Sequence, residues 1–138
     1  MLRKDYIIRQ AEEFGKFLAI VIGLRKAGNW EEFNKVIRET ASKFTLIEIE
    51  TAENLECIGF IEVLTEKYKL NEPSLKMLAD MLYEKGMSYA QGSHNTEAEN
   101  AFEKALMIYG YINENSLDID FSFDMHCKIT ALEQWLKK

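Results

Sequence analysis

Four side chains of this sequence are of types that hold transition metals: Cys57, His94, His126 and Cys127. Their spacing argues against a shared ion. His126 and Cys127 are adjacent in a segment of helical period, where successive side chains diverge by about 100°, and tetrahedral zinc sites need ligands that converge. The two cysteines are far apart in the chain, which is neither a disulfide framework nor a metal spacing. Both lie in apolar periodic stretches, so buried free thiols are expected. One packed histidine (His126) and one solvated histidine (His94) complete that expectation. Two unpaired cysteines point to a reduced, cytoplasmic setting.

Oxygen ligands and acid–base pairs come next. Asp118, Asp120, Ser122 and Asp124 alternate as in a calcium loop, but Phe123 stands where the loop needs Gly and Ile129 where it needs Glu. Helix capping and the helix dipole account for these carboxylates. Glu12 and Glu13, Glu31 and Glu32, and Glu48 and Glu50 read as solvated faces. The seven glycines are scattered, so no phosphate-cradling loop exists. Neither a His-Glu-x-x-His pair nor a Ser-centred elbow is present. No catalytic, cofactor or metal site is expected.

A chain of 138 residues, 47% hydrophobic, suits a single domain over 1–138 and buries about 68% of its unfolded surface. A single proline favours long helices over turn-rich sandwiches or barrels. Five of the six net negative charges fall in residues 71–138. The absence of a basic stripe disfavours nucleic acid and an anionic membrane surface. Arg3 and Lys4 precede an apolar stretch at 17–24, but charges interrupt the run-up and the stretch is far too short for a span. A buried helix is expected there, not a signal or an anchor.

Apolar residues at steps of three and four predict a helix over 2–26, ended by Ala27-Gly28. Asn29 caps the next, with Glu32 in the capping-box position, so 2–44 forms a helical hairpin with a two-residue turn. Residues 45–52 read as an irregular connection or a short helical turn. Leu55, Ile58, Ile61, Leu64 and Tyr68 predict a helix over 53–69. Asn71-Glu72-Pro73 starts another at about 73–91. Asn95 or Thr96 caps one from about 96 to 113, and a last helix spans about 120–137. The expected fold is all-α, about six helices in antiparallel hairpins.

Within the pair at about 73–113, Leu82, Gly86, Tyr89, Ala98, Phe102 and Ala105 form a packing pattern. Small Gly86, Ala98 and Ala105 let two helices approach, and Tyr89 and Phe102 fill the space between them. A mid-helix Gly costs about 1 kcal/mol against Ala, which close packing offsets. With these offsets, residues 79–112 resemble a tetratricopeptide repeat. Lys85 departs from the usual Leu, Leu82 from the frequent Trp, and Gly110 from the usual Pro. The opening Asp5-Tyr6-Ile7-Ile8-Arg9-Gln10 and the helical layout resemble an uncharacterised bacterial family of small helical proteins, for which no activity is implied.

The resemblance implies a right-handed helical array with an N-terminal hairpin and a C-terminal capping helix. It also implies a groove lined by the first helix of the pair, through Asp80, Tyr83, Glu84, Met87, Ala90 and Gln91. These residues are acidic, aromatic and thioether rather than basic. They suit an apolar or basic peptide or helix rather than a terminal carboxylate. The expected function is non-enzymatic binding of an unidentified protein or peptide. The alternatives are an obligate homo-oligomer joined through the first helix, and a small-ligand binder or enzyme with a pocket between helices.

Overall fold

The computed structural model describes residues 2–115 and 122–137. Among these residues there is no strand. The elements are α1 (Leu2–Ala27), α2 (Trp30–Thr45), α3 (Ile49–Asn54), α4 (Phe60–Glu62, continued by one π-helical turn, Val63–Lys67), α5 (Glu72–Gln91), α6 (Asn95–Asn115) and α7 (Ser122–Leu136). Asp118 and Asp120, half of the calcium-like pattern, lie outside the described residues.

The first hairpin forms as its sequence dictates. Gly28 takes φ +72°, a left-handed conformation that glycine adopts at no steric cost. Asn29 N donates to Leu24 O at 3.0 Å, and the Asn29 side chain accepts from Glu32 N at 3.4 Å. Helix α2 then buries Phe33, Ile37, Ala41 and Phe44 on one face. The Phe44 ring meets Phe14 of α1 at 5.5 Å and Phe17 at 5.7 Å, edge to face.

The helix expected over 53–69 is broken. Helix α3 ends at Asn54 and Leu55 is extended. Ile58, expected on a buried stripe, is 91% exposed. Gly59 takes φ +75° before the chain becomes helical again. The Glu53 carbonyl, which a continuous helix would direct to Cys57 N, instead accepts from Asn100 Nδ2 at 3.0 Å and from Lys104 Nζ. Side chains of α6 thus capture the backbone that would have carried the helix on. Within the segment 45–52, expected to be an irregular connection or a short helical turn, residues 46–48 are irregular and α3 begins at Ile49.

Helix α5 is central and packs on α1, α2, α3 and α6. Asn71 caps it by accepting from Ser74 N at 3.0 Å. Leu75, Leu78, Met81 and Leu82 are buried, and so are Asp80, Glu84 and Lys85. At the turn into α6, His94 N donates to Tyr89 O at 2.8 Å and Ala98 N donates to His94 O at 3.0 Å. His94, rather than Asn95 or Thr96, therefore precedes the helix.

Helices α5 and α6 make the most extensive contact in the fold, and Gly86 is where they close. A Cβ at Gly86 would lie 2.5 Å from Phe102 Cδ1 and nearer still to Cε1. The Phe102 ring cannot simply retreat, because it is buried between Tyr83 (centroids 5.9 Å apart) and Trp135 of α7 (4.7 Å). Tyr89 is partly buried against the core. Its hydroxyl turns to α3, donating to Glu53 Oε2 at 2.6 Å.

Gly110, by contrast, has nothing within 4 Å of a built Cβ. Gly110→Ala should raise the urea-unfolding free energy by about 0.5–1 kcal/mol through helix propensity. Gly86→Ala should lower it by about 1–3 kcal/mol, because overpacking outweighs the same propensity gain. Equal effects at the two glycines would contradict the packing account.

Candidate functional site

The residues expected to line a groove do not share one open face. Asp80 is 4% exposed. It accepts from Lys76 Nζ at 3.1 Å, from Lys128 Nζ of α7 at 2.8 Å and from the Tyr109 hydroxyl. Glu84, also buried, is ion-paired with Arg25 Nε of α1 at 2.7 Å. The same guanidinium donates through Nη1 to Gln91 Oε1 at 2.8 Å. Tyr83 lies beside Phe102, with Lys128 Nζ 5.8 Å from its ring centroid. Met87 and Ala90 are partly buried against the core. The physical reason is charge neutralisation: Asp80 and Glu84 find cations on neighbouring helices and are drawn inward. Tyr83, Met87, Ala90 and Gln91 remain partly or fully accessible.

The cysteines are corrected too, since Cys57 and Cys127 are both exposed. His94 and His126 are exposed as well, so the expected packed histidine is not found. Cys57 Sγ lies 4.0 Å from Glu103 Oε2. Among the described residues no cluster of three or more His, Cys, Asp or Glu is arranged to hold a metal. Among them, too, no helix is long and apolar enough to cross a membrane.

A second constellation was not anticipated. Glu53 of α3 sits among Lys85 and Tyr89 of α5 and Asn100 and Lys104 of α6. Lys85 Nζ lies 3.6 Å from Glu53 Oε1 and donates to Asn34 Oδ1 of α2 at 3.4 Å. It also stands 4.9 Å from the centroid of the Tyr89 ring. Glu53 Oε1 is buried and accepts no hydrogen bond. Burial raises the Tyr89 hydroxyl well above its ordinary value, and the hydrogen bond to Glu53 and the charges of Glu53, Glu97 and Glu50 add to this. Burial lowers the Lys104 ammonium, while Cys57 and Glu53 act the other way. Nearer the surface, burial alone would raise the Glu50 carboxyl, but a 2.7 Å hydrogen bond from Arg38 helps hold it below its ordinary range.

The sequence carried one signal for this network. Lys85 stands where the repeat pattern wants an apolar residue, and a lysine at a buried helix position needs an anion nearby. That Glu53 supplies it could not be read, because the break after α3 places it. Beside the network, α2, the end of α5 and the 92–94 turn border an open surface pocket of about 310 Å³ lined by Trp30, Asn34, Ser88, Tyr89, Gly92 and His94.

No family model, curated protein or solved structure matches this chain.

Tyr89→Phe removes the hydroxyl that serves Glu53 Oε2 and should cost about 1–3 kcal/mol at neutral pH. The folded state holds this proton more tightly than the unfolded chain does. The contribution is therefore complete below pH 10 and lost as pH rises above it. Lys104, lowered on folding, acts oppositely, with stability rising toward pH 10.5, but it is common to both proteins. Urea unfolding from about pH 8 to pH 11 should show the gap between wild type and Tyr89→Phe narrowing above pH 10. A constant gap would contradict the assignment.

Proposed function

We propose that this chain is a repeat-like helical module that binds another protein or peptide and performs no catalytic step of its own. The observation that carries this is the row formed by alternate long helices. Arg25 of α1 pairs with Glu84 of α5, and Lys128 of α7 pairs with Asp80 of α5. In tetratricopeptide repeats the first helices of successive pairs line one face in this manner. Here α1–α2 and α5–α6 are the pairs and α7 closes the array. The resemblance also fits a bacterial cytoplasmic protein.

The face on offer is narrower than the sequence suggests. With Asp80 and Glu84 neutralised internally, the accessible strip is Tyr83, Met87, Ala90 and Gln91. A basic peptide loses its attraction to such a strip, whereas an apolar helix or peptide keeps a thioether and aromatic surface to pack on.

One further surface favours self-association as a second reading. Helix α1 exposes Ile8 and Ile20 on the side away from buried Phe14 and Val21, Ile20 being 51% accessible. Along the same helix Gly15 and Gly23 have nothing within 4 Å of a built Cβ, which leaves room for a close helix from a second copy.

A photo-crosslinking residue placed at Met87, at Ile20 or at exposed Ser42 separates these readings in cells. The binding module predicts a discrete adduct with another protein from Met87 and none from Ser42. Identical patterns from Met87 and Ser42 would overturn it. Self-association predicts an adduct of twice the chain's mass from Ile20, and its absence would sink that reading.

A further inference from the structure

We infer that the pocket between α2, α5 and the 92–94 turn is a binding site for a small, uncharged, planar heterocycle that carries both a hydrogen-bond acceptor and a donor. Three of its six lining residues are aromatic: Trp30, Tyr89 and His94. Aromatic walls with a few placed polar groups are the usual make-up of a small-ligand site, and about 310 Å³ is at the small end of such sites. The volume suits one or two fused rings.

The polar groups have defined roles. Lys85 Nζ has only protons to give, so the atom of Asn34 that faces it at 3.4 Å must be the amide oxygen. This leaves the two N–H groups of the Asn34 amide as donors. Ser88 Oγ donates its proton to Lys85 O at 2.7 Å, which leaves the hydroxyl oxygen as an acceptor. The pocket thus holds a donor from α2 and an acceptor from α5, and a lactam, a carboxamide or a nucleobase carries the complementary pair.

Charge sets the remaining limit. None of the six lining residues is a carboxylate, an ammonium or a guanidinium. Below the pocket, Lys85 has Glu53 for its counter-charge at 3.6 Å. An ammonium so paired offers little to a phosphate or carboxylate. A ligand cation meets Lys85 already seated 4.9 Å from the centroid of the Tyr89 ring. The neutral heterocycle is the class left.

Gly92 supplies the means of testing the site. A Cβ there would lie 3.1 Å from His94 Cδ2, so Gly92→Ala pushes the imidazole wall without entering the core. The protein is titrated with nicotinamide and adenine as neutral probes, benzoate as the anion and benzyltrimethylammonium as the cation. The readout is the NMR resonance of the Trp30 indole N–H. Saturable shifts with the neutral probes are expected, with Kd on the order of 0.1–1 mM for fragments of this size. Asn34→Ala should weaken binding about tenfold, the loss of one hydrogen bond, and Gly92→Ala should weaken it as well. If Asn34→Ala fails to fold, Gly92→Ala alone carries the comparison. The site is overturned if neither neutral probe saturates, if a charged probe binds more tightly than both, or if binding is unchanged in the folded variants.

Discussion

Helices α5 and α6 approach so closely at Gly86 that the Phe102 ring occupies the space of the missing side chain. Much of the remaining structure follows from that approach. Phe102 is held there by Tyr83 on its own pair and by Trp135 of α7, so one aromatic ring joins three helices. With α6 this near, α5 is enclosed and must face α1, α2 and α3 as well. A helix surrounded on so many sides cannot leave all of its polar residues in water. The buried Asp80, Glu84 and Lys85 are a consequence of the packing geometry.

Each of those buried charges has a partner on another helix: Lys128 of α7 for Asp80, Arg25 of α1 for Glu84 and Glu53 of α3 for Lys85. Such pairs gain little net stability, because desolvation offsets their attraction, but breaking one leaves a buried charge uncompensated. Their value here is positional. Each pair has its own place along α5, so together they set how α1, α3 and α7 dock. The same pairing removes two carboxylates from the surface that would otherwise have defined a groove. It also explains how a chain with most of its net charge in the second half presents a largely uncharged strip between α1 and α7.

The long helices were legible because their signals are local. Asn29, Gly28, Asn71 and Pro73 mark ends through capping and backbone geometry, and the observed boundaries fall within a residue or two of them. Gly86 was legible for a related reason: a glycine inside a strong helix has a cost that packing must offset. The segment 53–69 was not legible. Its apolar spacing is helical, and the break arises when Asn100 and Lys104, distant in sequence, take the Glu53 carbonyl. The burial of Asp80 and Glu84 was not legible either. Their positions on α5 were right, but whether a carboxylate faces water or a guanidinium depends on where α1 and α7 dock. The pocket unites Trp30 and Asn34 with Ser88, Tyr89 and His94, and no spacing within either segment announces the other.

The close approach at Gly86 is tested most directly by a double-mutant cycle with Phe102→Leu, read by urea unfolding. If the ring occupies the glycine's space, Gly86→Ala should be strongly destabilising in the wild-type background. It should be neutral or stabilising in the Phe102→Leu background, where the smaller side chain leaves room. The same cost for Gly86→Ala in both backgrounds would contradict the account, since the glycine would then serve something other than Phe102.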